Sequence, residues 1–514
     1  MPHSASVRRL VGEFDSLDYN PLRDARLWLI ASLTALLVYG SEISSFTLSI
    51  DEELSGFQRE GLWAAWLRQG RWGMALLTFV TPPLSATPFL PTLVFCAGLA
   101  ASAVLLAGQF IASRREAFCF VAMFISCPTW PHIGEFNTFS WGIGIGLCAC
   151  TLALWFGRSG GTVGAAHAAV LLAFSIAIYQ SFILIYVAAV LLHYGLAESR
   201  RSQSPRALAG LIGGCVAGIA LYYLVLKATS FWFAGSGYVE SWVKLAELLG
   251  PDSRGRERVV ERLVGLMAGG DSIYLGWGYA ALLLPWIGLL AFTWRLARNG
   301  SETPLARLFC VGAVVVAGAA VLSPVVVSAG RVAVRSLVAF PLLYAALSSF
   351  SFRLKTRASV GLLSLLIWSV FVNSWIAASL FHSDRLARDK DAALAAALIP
   401  RIEAVGRPRF ENFIPITVVG AWRHPPGGPY YRAEIFGTSF YEHGGGSPWR
   451  VAQHLRLLGM SNLRPVPLAS IPESIEAIEA IPAWPAEGSV AVVNNVLVVK
   501  FGDLTYPQQA SLRR

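Results

Sequence analysis

Residues 163–197 read VGAAHAAVLLAFSIAIYQSFILIYVAAVLLHYGLA, and this stretch decides the fold. It holds no Asp, Glu, Lys or Arg, and it lacks the polar stripe that a helix on the surface of a soluble protein keeps. A helix needs about 20 predominantly apolar residues to cross the hydrocarbon core of a bilayer. Two runs of nearly that length, 163–179 and 181–197, meet at Tyr179-Gln180. The stretch therefore predicts a tight helical hairpin with its polar corner at a membrane face.

The same pattern extends in both directions. Candidate spans are 27–47, 88–111, 116–129, 140–157, 163–179, 181–197, 207–227, 273–294, 308–328, 336–352 and 358–380, eleven in all. The runs 116–129 and 336–352 are short, and 72–83, followed by Pro82-Pro83, is shorter still and reads as re-entrant or interfacial. Composition agrees: 55% of the residues are hydrophobic and 14% charged, and mean hydropathy is +0.55, whereas soluble chains carry about 25% charged residues. The first apolar run follows a polar leader (1–26) and has no small-residue cleavage site behind it, so it is expected to remain as the first span. All seven cysteines lie in apolar segments and read as small buried hydrophobes.

The charges set an expected orientation. With the N-terminus (Arg8, Arg9, Arg23, Arg26) cytoplasmic, every alternate loop is basic: Arg114-Arg115, Arg158, Arg200-Arg201 with Arg206, Arg295 with Arg298 and Arg307, and Arg353 with Lys355 and Arg357. That is the positive-inside pattern. It leaves 48–87, 130–139, 228–272, 329–335 and the tail 383–514 outside. The net charge of +10 is thus absorbed by loops, and no basic face with interleaved aromatics speaks for nucleic acid. Two amphipathic patterns around Leu245 and Val260, broken at Gly250-Pro251, are expected along the membrane surface. The tail, with strand-like runs at Ile414–Val419 and Val490–Val499 and a helix near Pro448–Leu458, is expected to be a small α/β domain.

Candidate chemistry gathers on the outer side. Asp51-Glu52-Glu53 follows the first span, where a carboxylate reaches both headgroups and water and can serve as a general base; a solvated loop cap is the plain alternative. Arg331 and Arg335 are basic on the side where the orientation rule disfavours them, and four residues apart they are expected on one helical face. They could clamp a phosphate, or merely snorkel. Arg68 and Arg71 invite the same reading, and Glu135, Tyr179 and Gln180 are candidate substrate contacts. His132 beside Glu135 is too sparse for a metal site, and no metal or other cofactor is expected. No Gly-rich nucleotide loop is present, so any phosphate should arrive on a lipid.

These residues stand in an order that resembles the serotype-converting O-antigen glucosyltransferases of type II, within the GT-C superfamily. The likeness runs through Ser49-Ile50-Asp51-Glu52, Gly70-Arg71, Ile178-Tyr179-Gln180, Gly437-Thr438-Ser439-Phe440, Gly444-Gly445-Gly446, Leu457-Leu458-Gly459, Ile481-Pro482-Ala483-Trp484-Pro485 and Ser489-Val490 to Lys500, from about residue 27 to 503. Glu52 stands where the family is expected to carry a second Asp, which leaves open whether Asp51 or Glu52 is the base. The resemblance implies an all-α polytopic GT-C-like protein with a periplasmic C-terminal domain, in a bacterial inner membrane. It implies an enzyme that takes a sugar, glucose by family expectation, from an undecaprenyl-phosphate carrier and adds it to a lipid-linked polysaccharide acceptor. It places the catalytic carboxylate at Asp51, with Glu52 as second choice, and Arg71, Arg331 and Arg335 would neutralise the donor phosphate. A lipid-linked-oligosaccharide flippase is the rival reading, but it would need charged residues along a path through the spans. A membrane anchor displaying the tail would not need so many spans.

Overall fold

Each apolar run forms a helix, because backbone in hydrocarbon must satisfy its own hydrogen bonds. The computed structural model describes residues 19–45, 47–55, 59–84, 87–111, 113–196, 204–233, 241, 243–250, 253–298, 303–353, 359–425, 430–471 and 475–512. Arg8, Arg9, Arg200, Arg201, Pro251, Lys355 and Arg357 of the orientation and loop expectations lie outside these residues.

Eight helices among the described residues are long and apolar enough to cross a membrane: Ala25–Ser44, Leu90–Gln109, Ser140–Ser159, Gly161–Ile178, Pro205–Trp232, Gly278–Arg298, Arg307–Val327 and Val360–Gly406. The remaining three expected spans exist as shorter helices, Arg114–Ile125, Phe182–Leu196 and Phe340–Phe350. Their ends have local causes. Arg114–Ile125 begins at Ser113, an N-cap whose Oγ accepts the Glu116 N–H (3.4 Å) and donates to the Glu116 carboxylate (3.0 Å); it stops before Pro128. Phe340–Phe350 starts with Pro at its second position and is bracketed by 3-10 turns at Val334–Ser336 and Ser351–Arg353. The protein is a mostly helical polytopic membrane protein with a small sheet.

The described residues within Met1–Ser45, Arg59–Glu135 and Phe139–Ala378 form one compact unit. Its outward faces are as apolar as its interior: Leu29, Leu33, Leu36 and Leu37 of the first helix, and Val315 and Val316 of Arg307–Val327, are all exposed, as lipid-facing side chains should be. Small residues let helices approach closely: a Cβ added at Gly98 would lie 2.5 Å from the backbone of Gly144 on the neighbouring helix. Residues in the expected inner loops, or at the ends of the spans beside them, meet one another. Arg114 pairs with Asp24 (2.8 Å), the buried Arg353 with the buried Glu116 (2.7 Å), and Arg158 donates to the Gln109 carbonyl (2.8 Å). The short apolar segment of 72–83 is the nine-residue helix Trp72–Val80. The two amphipathic patterns are the helices Leu245–Leu249 and Arg254–Ala268.

The second unit comprises the described residues within Phe46–Gln58, Phe136–Thr138 and Ser379–Arg514. Of the expected outer loop 48–87, the described residues within Phe46–Gln58, which hold the acidic triplet, thus belong with the tail, while those from Arg59 on belong with the helical unit. The expected span 358–380 is part of a 48-residue helix, Ser359–Gly406. Beyond it, a four-stranded mixed sheet has the order β2 (Leu463–Pro465), β1 (Ile414–Val419), β4 (Val496–Lys500), β3 (Val490–Val493). β1 runs parallel to both of its neighbours, and β3 and β4 form a hairpin. The run 490–499 is therefore two strands, because Asn494 and Asn495 both take positive φ and make the turn.

Motifs of the tail hold this unit together. Asp391 on the long helix accepts bonds from the Phe440 N–H (3.0 Å), the Ser439 hydroxyl and His424 Nε2 (2.8 Å), and pairs with Arg388 (3.1 Å). Arg388 in turn donates to the Thr438 carbonyl and lies over the Phe440 ring (3.8 Å). Burial alone would raise the Asp391 pKa, but the Arg388 charge and these hydrogen bonds hold it below the ordinary value. Gly446, at φ 83°, admits no side chain, since a Cβ would stand 1.9 Å from the Gly420 carbonyl oxygen. Arg401 stacks on Trp484 (4.4 Å) and donates to the carbonyls of Pro485 (2.9 Å) and Ala486 (3.0 Å).

Candidate functional site

In the helical unit the corner Tyr179-Gln180-Ser181 and the turn Val334–Ser336 border a cavity of about 300 Å³. It lies at the lower end of the ordinary size range for small-molecule sites, roughly 300–1,000 Å³. Arg71, Gln180, Arg335 and Ser336 supply polar groups; Ile183, Leu184, Val243, Val327 and Val332 supply apolar wall. Four of the residues singled out in the sequence, Arg71, Tyr179, Gln180 and Arg335, thus line one space.

Arg71 is positioned from several sides. Gly70, at φ 74°, turns the chain after the helix Arg59–Arg68; its carbonyl accepts from Tyr222 (3.2 Å), and the preceding Gln69 carbonyl accepts from Gln180 (3.0 Å). The Arg71 guanidinium then lies over two aromatic rings, Tyr179 (4.8 Å) and Trp66 (5.4 Å). Phe139 backs this arrangement, parallel to Tyr179 and edge-on to Trp66. Each such cation–π contact contributes about 0.5–2 kcal/mol. Tyr179 reaches the far wall through Ser336 Oγ (3.4 Å).

Arg331 and Arg335 do not share a helical face: 331–333 is irregular chain and 334–336 a single 3-10 turn, which separates them. Arg335 lines the cavity, whereas Arg331, with its side chain 54% exposed, pairs with Glu247 (3.2 Å). Arg68 is exposed and lies outside the lining. Glu135 and His132 are buried, also outside it. Burial, with Arg262 and Arg335 nearby, pushes the His132 pKa down to about 3, so its ring is neutral.

The acidic triplet lies in the other unit, and its three members differ. Glu52 is fully buried, and its carboxylate accepts from the Ser49 N–H (2.9 Å), the Thr138 N–H (3.2 Å) and the Asn137 amide (3.4 Å). Burial outweighs those bonds and pushes its pKa up to about 8. Glu53 is also fully buried, and burial raises its pKa too, although it is ion-paired with Arg450. Asp51 pairs with the same guanidinium (2.6 Å), yet its side chain is 49% exposed. It holds φ at 88°, a conformation costing on the order of 1–3 kcal/mol outside glycine. Of the two carboxylates left open by the sequence, Asp51 is the one that solvent reaches. Arg450 escaped sequence reasoning because it lies 399 residues from Asp51, and nothing local marks it except its place in the first turn of the helix Pro448–Leu457.

A family model described as Glucosyl transferase GtrII matches residues 40–352, more than half of the chain. The chain belongs to the GtrII glucosyl transferase family. Membership makes it a glycosyltransferase. The GtrII match takes in the acidic triplet, Arg71, the Tyr179-Gln180 corner and both Arg331 and Arg335, and it ends before the tail motifs at 437–500. No curated protein and no solved structure compared with the chain gives a match.

Proposed function

We propose that this GtrII protein is a GT-C-type membrane glucosyltransferase that moves glucose from an undecaprenyl-phosphate carrier to an O-antigen or related cell-surface polysaccharide, on the periplasmic side of the inner membrane. The observation that carries the reading is the cavity of about 300 Å³ with two guanidinium groups and apolar walls. Guanidinium matches phosphate oxygens, and the apolar wall suits the first isoprene units of a lipid carrier rather than a nucleotide. The basic alternate loops, and the contacts that Asp24, Glu116 and Gln109 make with Arg114, Arg353 and Arg158, support the orientation.

In the proposed mechanism the Asp51 carboxylate takes the proton of the acceptor hydroxyl as that oxygen bonds to the anomeric carbon. The bond from that carbon to the carrier phosphate breaks through an oxocarbenium-like transition state. The phosphate leaves as an anion, so no strong general acid is required. Arg71 and Arg335 neutralise it, a contribution of about 3 kcal/mol for a well-placed donor. Gln180 and Tyr179 contact the donor, and the tail unit holds the polysaccharide.

The test is a reconstitution: full-length protein in nanodiscs, with polyprenyl-phosphate-glucose and lipid-linked polysaccharide. Acceptor-dependent release of carrier phosphate is expected. Equal turnover with a nucleotide-glucose donor, or no release at all, would sink the reading.

A further inference from the structure

The Arg450 fork joins two acids of unlike exposure. Its Nη1 bonds the Glu53 carboxylate and its Nη2 the Asp51 carboxylate (2.6 Å). The Arg450 side chain is 12% exposed and Glu53 wholly enclosed, so the cation is fixed from the protein side. Only Asp51, at its other end, presents substantial surface to water. The loop is held at its base by Glu52, through Ser49 and Thr138. The Asp51 side chain is ion-paired with Arg450, in the first turn of a regular helix, Pro448–Leu457.

We propose that Arg450 is the positioning residue for Asp51: it takes no part in substrate contact and acts on sugar transfer through the carboxylate it holds. The inference rests on the reading of Asp51 as the base. A planar guanidinium serves two carboxylates on two separate nitrogens at once; a lysine ammonium is a single point charge on a flexible stem and cannot fix both. An Asp side chain in a positive-φ loop has several rotamers open to it, and a base displaced by about 1 Å loses on the order of a hundredfold in rate. A plainer role, neutralising buried Glu53, would leave Asp51 untouched, and the two roles give different kinetics.

The experiment uses the full chain in nanodiscs with polyprenyl-phosphate-glucose and acceptor, and compares Arg450→Met, Arg450→Lys, Asp51→Asn and the Arg450→Met/Asp51→Asn pair. Arg450→Met should lower kcat by about tenfold to a hundredfold with donor KM unchanged, Arg450→Lys should recover part of that, and the loss should vanish in the Asp51→Asn background. If Arg450→Met keeps wild-type kcat while Asp51→Asn does not, or if the two losses multiply in full, Arg450 is not acting through Asp51. Wild-type turnover by Asp51→Asn itself would instead overturn the assignment of the base, and the inference with it. Should Arg450→Met not fold, Arg450→Lys decides alone, because it keeps a charge for Glu53. A kcat loss at an unchanged unfolding midpoint supports positioning; full activity refutes it.

Discussion

Three consecutive acids, Asp51, Glu52 and Glu53, have three environments, and each environment makes a separate prediction. Asp51→Asn removes the proposed base while keeping a residue that tolerates positive φ, so turnover should fall by about 10²–10⁴ with little change in unfolding temperature. Glu52 should show itself in stability. Its folded pKa, pushed up to about 8, lies above the unfolded value, so the folded protein binds the extra proton between about pH 4.3 and 8. Its contribution is complete below that window and is lost as pH rises through 8. Thermal unfolding of the purified protein from pH 5 to 8 should therefore show a declining midpoint that Glu52→Gln flattens. A wild-type midpoint that climbs over this range would contradict the burial of an uncharged Glu52. The arginines divide likewise: Arg335→Ala, in the cavity wall, should raise donor KM more than Arg331→Ala, whose partner is Glu247. Equal effects in a titration with the lipid donor would remove the cavity's claim to the phosphate. The acids and arginines were legible as candidates because charge is rare in so apolar a chain. Their division of labour was not, because exposure and pairing are set by segments far away in sequence.

Helices and strands were legible where their cause is local. The apolar runs named the helices, Ser113 and Glu116 cap one of them, and the paired asparagines split the last strand-like run into a hairpin. Lengths were less legible. Arg114–Ile125 and Phe340–Phe350 stop short of a full crossing because Pro128 and Pro341 act on the backbone, whatever the hydropathy of the residues around them. The long helix Ser359–Gly406 carries a second lesson, since its 379–406 part is the spine of the tail unit. Asp391→Ala should take from Arg388 its nearer acid, leaving Asp384 at 3.6 Å, and release Ser439, His424 and the Phe440 N–H together, costing about 3–5 kcal/mol. Limited proteolysis should then cut near 437–440 before the helical unit is degraded. Unchanged protection of that loop would show that Asp391 is dispensable to it.

At the level of the whole chain, the orientation predicts which surfaces a membrane-impermeant reagent can reach. A cysteine at Ser470, exposed in the tail unit, should be labelled from outside in intact cells. The native cysteines should stay silent, since five are buried and two partly so. Labelling of Ser470→Cys only after lysis would reverse the topology and move the proposed chemistry to the cytoplasm. The sequence by itself determined that the chain is a polytopic membrane protein, where its helices lie and to which family it resembles, because hydrophobic length and motif order are properties of contiguous residues. Only the tertiary structure decided that the acidic loop belongs with the tail, that Arg450 bridges Asp51 and Glu53, and that Arg335 rather than Arg331 joins Arg71 around one cavity. Those facts depend on distances between residues hundreds of positions apart, which packing fixes and no local pattern encodes.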